Sequence, residues 1–133
     1  MRAVVRKADL IFPELSYRIL GILFEVWKNV GFGHKEKFYQ NAIEKEFEIN
    51  KIPFKGQLPV KVNYKGKALG IYYFDFLVDN KIVLEIKVRN FFSAKDIQQT
   101  HAYLKAKGLR LGIIAHFTAS GVKFKRIVNI EKA

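Results

Sequence analysis

Cysteine is missing from this chain, so neither a disulfide frame nor a thiolate zinc site can be built, and a reducing cytoplasm is the expected location. Proline occurs only 3 times in 133 residues, and half the residues are apolar, which together exclude a linker-rich or disordered chain. Long apolar runs are absent as well. The best stretch, residues 19–30, is interrupted by Glu25 and Lys28, so no membrane-spanning helix is expected. The first residues include Arg2, Arg6, Lys7 and Asp9 and lack the apolar stretch of a signal peptide. Acidic side chains are scarce: 12 Asp and Glu stand against 24 Lys and Arg, a formal net charge of +12. Such an excess favours a polyanionic partner through counterion release and carries no sequence preference. The basic residues are spread along the chain, with no tail, repeat or linker. The length leaves room for one domain, residues 1–133, with a sizeable core, and not for two.

The spacing of apolar residues lays out the elements. Leu15, Ile19, Ile22, Leu23 and Val26 recur at helical intervals, predicting a first helix over 14–28 that Gly31-Phe32-Gly33 ends. A second helix is expected over 34–50, with Phe38, Tyr39, Ala42, Ile43 and Phe47 as its apolar stripe. Strands are expected over 60–64, 70–78 and 81–88, and a third helix over 93–107 with Ser93 as N-cap and Gly108 as stop. Strands over 111–117 and 122–130 follow. The order is that of an α/β layer fold, in which a strand meander is followed by a helix that crosses to a further strand.

Within the meander, Asp75 is followed after nine residues by Glu85-Ile86-Lys87. Residues 82, 84, 86 and 88 are apolar and 81, 85, 87 and 89 charged, so Glu85 and Lys87 share one face of their strand. Tyr72, Phe74, Phe76 and Val78 read as one apolar face of the preceding strand, with Asp75 on the other. A three-residue loop, Asp79-Asn80-Lys81, pairs Val78 with Ile82, Phe76 with Leu84 and Phe74 with Ile86, and sets Asp75 opposite Glu85; a two-residue loop would put the apolar sets on opposite faces. Opposed carboxylates repel. They are either solvated on an open hairpin face or the ligands of a divalent cation, for which Mg²⁺ is suited and Mn²⁺ a substitute. Ile71, Tyr73 and Leu77 on the same face argue against a simply wet surface. Such a cation would acidify bound water and stabilise charge on a phosphodiester, with Lys87 beside the attack site. In the second helix, Glu36 lies two turns from Ile43 on the stripe side and needs a partner, and Gln40 is one turn further on. His34, His101 and His116 show no zincin spacing; Trp27 reads as first-helix packing and Phe91-Phe92 as a covered strand end.

Gly33 to Gln40 reads Gly-x-x-Glu-x-x-Tyr-Gln. It resembles the octapeptide of the GxxExxYQ proteins, which are placed in the PD-(D/E)XK nuclease superfamily. The resemblance runs from about Leu15 to Asn129 through Ile52-Pro53-Phe54, Tyr64-Lys65-Gly66, Glu85-Ile86-Lys87, Gln99 to Leu104, Lys107 to Gly112 and Lys125 to Asn129. It implies a restriction-endonuclease-like αβββαβ core, a mixed sheet flanked by helices, with an extra N-terminal helix and C-terminal strand. It also implies metal ligation by Asp75, Glu85 and Glu36, a catalytic Lys87, and a supporting Gln99. Tyr39 and Gln40 belong to the pattern, Tyr39 either as a nucleic-acid contact or as packing under the site; Gln40, Arg89 and Lys95 are the further candidate nucleic-acid contacts, and DNA ranks ahead of RNA. Phe74 stands where the superfamily pattern has Pro. Enzymes of this kind often pair to cut two strands, so a homodimer is the implied assembly. The expected function is a Mg²⁺-dependent nuclease. The alternatives are a catalytically silent nucleic-acid-binding module and a partner-binding regulatory subunit on the same fold.

Overall fold

The computed structural model describes residues 11–130; Arg2, Arg6, Lys7 and Asp9 lie outside the described residues. In chain order the elements are α1 (Pro13–Val30), α2 (Glu36–Ile49), β1 (Phe54–Tyr64), β2 (Lys67–Val78), β3 (Ile82–Lys87), α3 (Ala94–Lys107), β4 (Leu111–Thr118) and β5 (Gly121–Val128). The five strands form one sheet in the order β1-β2-β3-β4-β5. All neighbours are antiparallel except β3 and β4, which are parallel because α3 carries the chain across between them. This is the mixed α/β sheet flanked by helices that the order of elements predicts. No helix among the described residues is long and apolar enough to cross a membrane.

Two apolar clusters sandwich the sheet. Under α1 and α2, Ile19, Leu23, Tyr39, Ile43 and Phe47 pack on alternate residues of the strands, including Phe76, Leu84 and Ile113. On the reverse face Tyr103 and Leu104 of α3 pack on Phe74, Val83 and Ile114. β4 is buried along its whole length, as a central strand covered on both faces must be. α3 begins with Ser93 accepting the Asp96 N–H and ends at Gly108 in the left-handed region, φ 68°. It lies close to β4 because Gly112 has no Cβ: one placed there would sit 2.7 Å from Thr100 Cγ2. Trp27 is tied to the sheet, its indole N–H donating to the Thr118 carbonyl at 2.8 Å.

The loop register is the expected one, with Val78 opposite Ile82 and Phe76 opposite Leu84; Asp79 and Asn80 both adopt positive φ. Three expectations are corrected. β1 begins at Phe54 rather than 60, because an edge strand tolerates Pro59 where its missing N–H would face outward. Phe38 is exposed rather than part of the α2 stripe, which consists of Tyr39, Ile43 and Phe47.

The third correction bears on the site. Tyr72, Phe74, Phe76 and Val78 do not share a face. Phe74 packs on Tyr103 of α3 with ring centroids 4.8 Å apart, whereas Phe76 packs on Phe47 of α2 at 5.4 Å. The strand therefore changes face at Asp75. β1 changes with it: Gly56 pairs with Phe76 and Leu58 with Phe74, and Gln57 between them has φ 53°. A left-handed residue in the edge strand supplies the local twist that strict alternation omits.

Candidate active site

Asp75 sits where the β2–β3 ladder ends. Regular pairing stops at Phe76 and Leu84, and beyond it side chains replace the main-chain bonds. The Asp75 N–H donates to Glu85 Oε1 at 3.1 Å, and the Ile86 N–H donates to Asp75 Oδ2 at 2.7 Å. Each carboxylate is thus held by the opposite strand, and both are buried. The amide of Gln40, one turn into α2, donates to Asp75 Oδ1 at 2.6 Å. Lys87 Nζ stands 3.9 Å from Glu85 Oε2 and keeps about a fifth of its side chain exposed, which leaves it a route to a ligand.

Burial sets the electrostatics. Desolvation pushes Glu85 up to about 9, with the neighbouring Asp75 adding to the shift and Lys87 opposing it. Asp75 is also raised by burial, against the hydrogen bonds from Glu85 and Ile86 that hold it down. Glu36, the first residue of α2, is raised by burial and then by the charge of Asp75, so it stands within electrostatic reach of Asp75. Among the described residues no three His, Asp or Glu groups form a ready-made metal cage. The donor set nonetheless fits a hard divalent cation: two buried carboxylates face each other, a third lies nearby, and Lys87 is a weak counter-charge at 3.9 Å. Each bonded carboxylate oxygen retains a lone pair for a cation.

The structure thus brings Asp75, Glu85, Lys87 and Glu36 to one place and adds Gln40 as a support of Asp75. Other predicted residues fall elsewhere. Tyr39 has no surface for nucleic acid: it is fully buried, donates its hydroxyl to the Gly31 carbonyl at 2.7 Å, and stacks on Phe117 at 4.5 Å. It fastens the α1–α2 loop beneath the site. Gln99 is half-buried on α3 and makes no side-chain hydrogen bond among the described residues, and Lys95 is exposed. Arg89 pairs with Asp96 at 3.1 Å and lies over the Phe91 ring. Phe91 is exposed rather than covered, while Phe92 stacks on His116 at 4.0 Å.

His116 and Asp96 are the neighbours that the sequence pattern undervalued. His116, opposite Lys87 in the parallel β3–β4 register, is fully buried, and burial followed by the charge of Arg89 lowers its pKa. A histidine inside the otherwise apolar 111–117 run was the available signal. For Asp96, the signal was a carboxylate in the first turn of a predicted helix, seven residues after a basic strand end.

Comparison with known proteins bears on the superfamily and the fold. No curated protein matches the chain. Three solved chains match it. One of them, the crystal structure of SSO0001, is 18% identical with a TM-score of 0.53, covering 72% of this chain and 50% of that one. The chain thus spans half the length of that protein, and the likeness concerns the fold alone. A family model for the PD-(D/E)XK nuclease superfamily matches residues 13–127, which takes in β1 to β4, β5 as far as Ile127, and every residue of the buried carboxylate site. With that match over most of its length, on a mixed sheet whose second and third strands carry Asp75, Glu85 and Lys87, the chain belongs to the PD-(D/E)XK nuclease superfamily.

Proposed function

We propose that the chain is a divalent-metal-dependent nuclease that hydrolyses phosphodiester bonds, with DNA as its substrate, and that it is a GxxExxYQ-type member of the superfamily. The observation that carries this reading is the buried Asp75–Glu85 pair, joined across the end of the β2–β3 ladder with Lys87 alongside. Burying two carboxylates together is costly unless a cation shares the site. Asp75, Glu85 and Glu36 would hold Mg²⁺ or Mn²⁺, and the chemistry supplied when the ion is bound is acidification of water and neutralisation of phosphate charge. Asp75 is kept in place by Gln40 and the Ile86 N–H, so its carboxylate faces the site without rotameric search. Glu85 must lose its proton to act as a ligand. Lys87 orients the attacking water and stabilises negative charge as it develops on the phosphate oxygens. The net positive charge of the chain draws the polyanion to the site.

A second reading is a binding module without cleavage. It is favoured by the engagement of three carboxylate oxygens with N–H donors and by the lack of a preformed cage among the described residues. Incubation with single-stranded and duplex DNA and with RNA, in Mg²⁺, Mn²⁺ or EDTA, separates the two. Metal-dependent cleavage supports the nuclease; salt-sensitive binding without cleavage in any metal supports the module.

A further inference from the structure

β2 is much longer than β3. It pairs with β3 only over Phe76 to Val78, and the remainder continues with β1 as a two-stranded arm closed by Lys65-Gly66, both at positive φ. The arm runs beyond the Lys87 end of β3, because β2 and β3 are antiparallel. One of its faces is occupied: Val60 and Tyr72 pack toward Tyr103 of α3. The other is open. The cluster beneath α1 and α2 reaches Phe54 and Phe76 and takes in nothing further along the arm. There Ile71 and Tyr73 alternate on one face of β2, each 53% exposed, with Lys61 opposite Ile71, and Leu69, 58% exposed, follows at a bulge nearer the tip.

The arm also has a single sign of charge. No Asp or Glu occurs on it, while Lys61, Lys65 and Lys67 do, all of them exposed. Tyr73 stands two residues from Asp75, about 7 Å along the strand. A row of apolar and aromatic side chains bordered by lysines leads directly into the carboxylate site.

We propose that the open face of this arm is a track for single-stranded nucleic acid, which feeds the strand to Asp75, Glu85 and Lys87. The inference rests on the nuclease reading for its destination and adds the strand state of the substrate. Lysines neutralise the backbone, and apolar and aromatic surface needs a base face to cover it. A duplex hides its base faces and would leave Ile71 against phosphates. A second copy of the chain would set one lysine-bearing, acid-free arm against another.

The test is binding measured apart from chemistry. Fluorescein-labelled oligothymidylate and a blunt duplex are titrated in EDTA by anisotropy, against wild type, Tyr73→Ala, Ile71→Ser and a Lys65→Gln/Lys67→Gln double variant. The expected result is a preference for the single strand that Tyr73→Ala weakens about tenfold, with duplex binding and circular dichroism unchanged. Ile71→Ser, further from Asp75, shifts in the same direction. The double variant weakens both ligands and lowers the slope of log affinity against log salt for the single strand by about 1.4. A wild-type preference for duplex, or single-strand affinities unaltered in both Tyr73→Ala and Ile71→Ser, overturns the track. So does sedimentation showing a dimer that Tyr73→Ala dissociates. Cleavage with unaltered arm variants removes the track and keeps the nuclease; arm-dependent binding without cleavage does the reverse.

Discussion

The Glu85 carboxylate accepts the backbone N–H of Asp75 itself, at 3.1 Å, at the point where the two strands stop pairing through their main chains. The two acids therefore replace part of the sheet. Their positions are fixed by bonds to the backbone of the opposite strand, with the Gln40 amide as a further support of Asp75, which suits a site that must be ready before its ligand arrives.

Metal affinity should depend on pH through Glu85. Its folded-state pKa of about 9 lies above the ordinary carboxylate value. The proton it holds therefore favours the fold: that contribution is complete below the unfolded-state value of about 4.3 and is lost as pH rises through the folded value. A divalent ion must displace the same proton. Apparent Mn²⁺ affinity is expected to rise about tenfold per pH unit while one proton is exchanged, levelling off above the Glu85 value. Titration calorimetry in buffers of differing ionisation enthalpy reads the released proton directly; pH-independent affinity would contradict the ligand role.

Glu85→Gln tests the same carboxylate in the opposite sense. The amide keeps the size of the side chain and its acceptor for the Asp75 N–H, so the metal-free unfolding midpoint should stay close to that of wild type. The stabilisation that Mn²⁺ gives wild type should vanish. Thermal melts with and without the ion distinguish this from a fold defect, which would lower the metal-free melt.

Gln40 is a positioning residue. Gln40→Ala removes the 2.6 Å hydrogen bond to Asp75 and should cost about 1–2 kcal/mol of stability. Metal affinity should fall by roughly 10–100-fold, as for other supports of ligating groups. Gln40→Asn, too short to reach, should resemble Gln40→Ala. If both bind metal like wild type, Asp75 does not depend on this support.

Gly112 is required by packing rather than by backbone conformation. Gly112→Ala places a methyl 2.7 Å from Thr100 Cγ2 and should destabilise by about 1–3 kcal/mol. Thr100→Ser deletes that methyl, so the double variant should lose less than the sum of the two single changes. Urea unfolding of the four proteins gives the coupling; strict additivity would mean that α3 moves away without cost.

Much of this was legible in the sequence. Helical spacing located α1 and α2, Ser93 and Gly108 bounded α3, and parity in 82–88 together with the length of the 79–81 turn brought Asp75 beside Glu85. The change of face at Asp75 was not legible, because Tyr72, Phe74, Phe76 and Val78 alternate without a flaw and the break shows in the opposite packing of Phe74 and Phe76 and in the side-chain bonds between them. Glu36 entered through the octapeptide, since its place beside the α2 stripe fits a solvated or boundary carboxylate as well. Gln40 was found with the wrong partner, since the docking of α2 on Asp75 is tertiary. Tyr39 was read as a contact because the octapeptide marks it, whereas its hydroxyl closes the loop at Gly31. Gln99 lies on α3 with no bond that would tie it to Lys87 among the described residues.

The most direct test of the central claim is the single-turnover cleavage rate of wild type, Glu85→Gln and Lys87→Ala on the same labelled strand, in Mg²⁺ and in EDTA. A nuclease centred on these residues predicts cleavage only with metal and a loss of about 10²-fold or more in each variant, with strand binding in EDTA retained. Cleavage by either variant at the wild-type rate, or wild-type cleavage in EDTA, would contradict it.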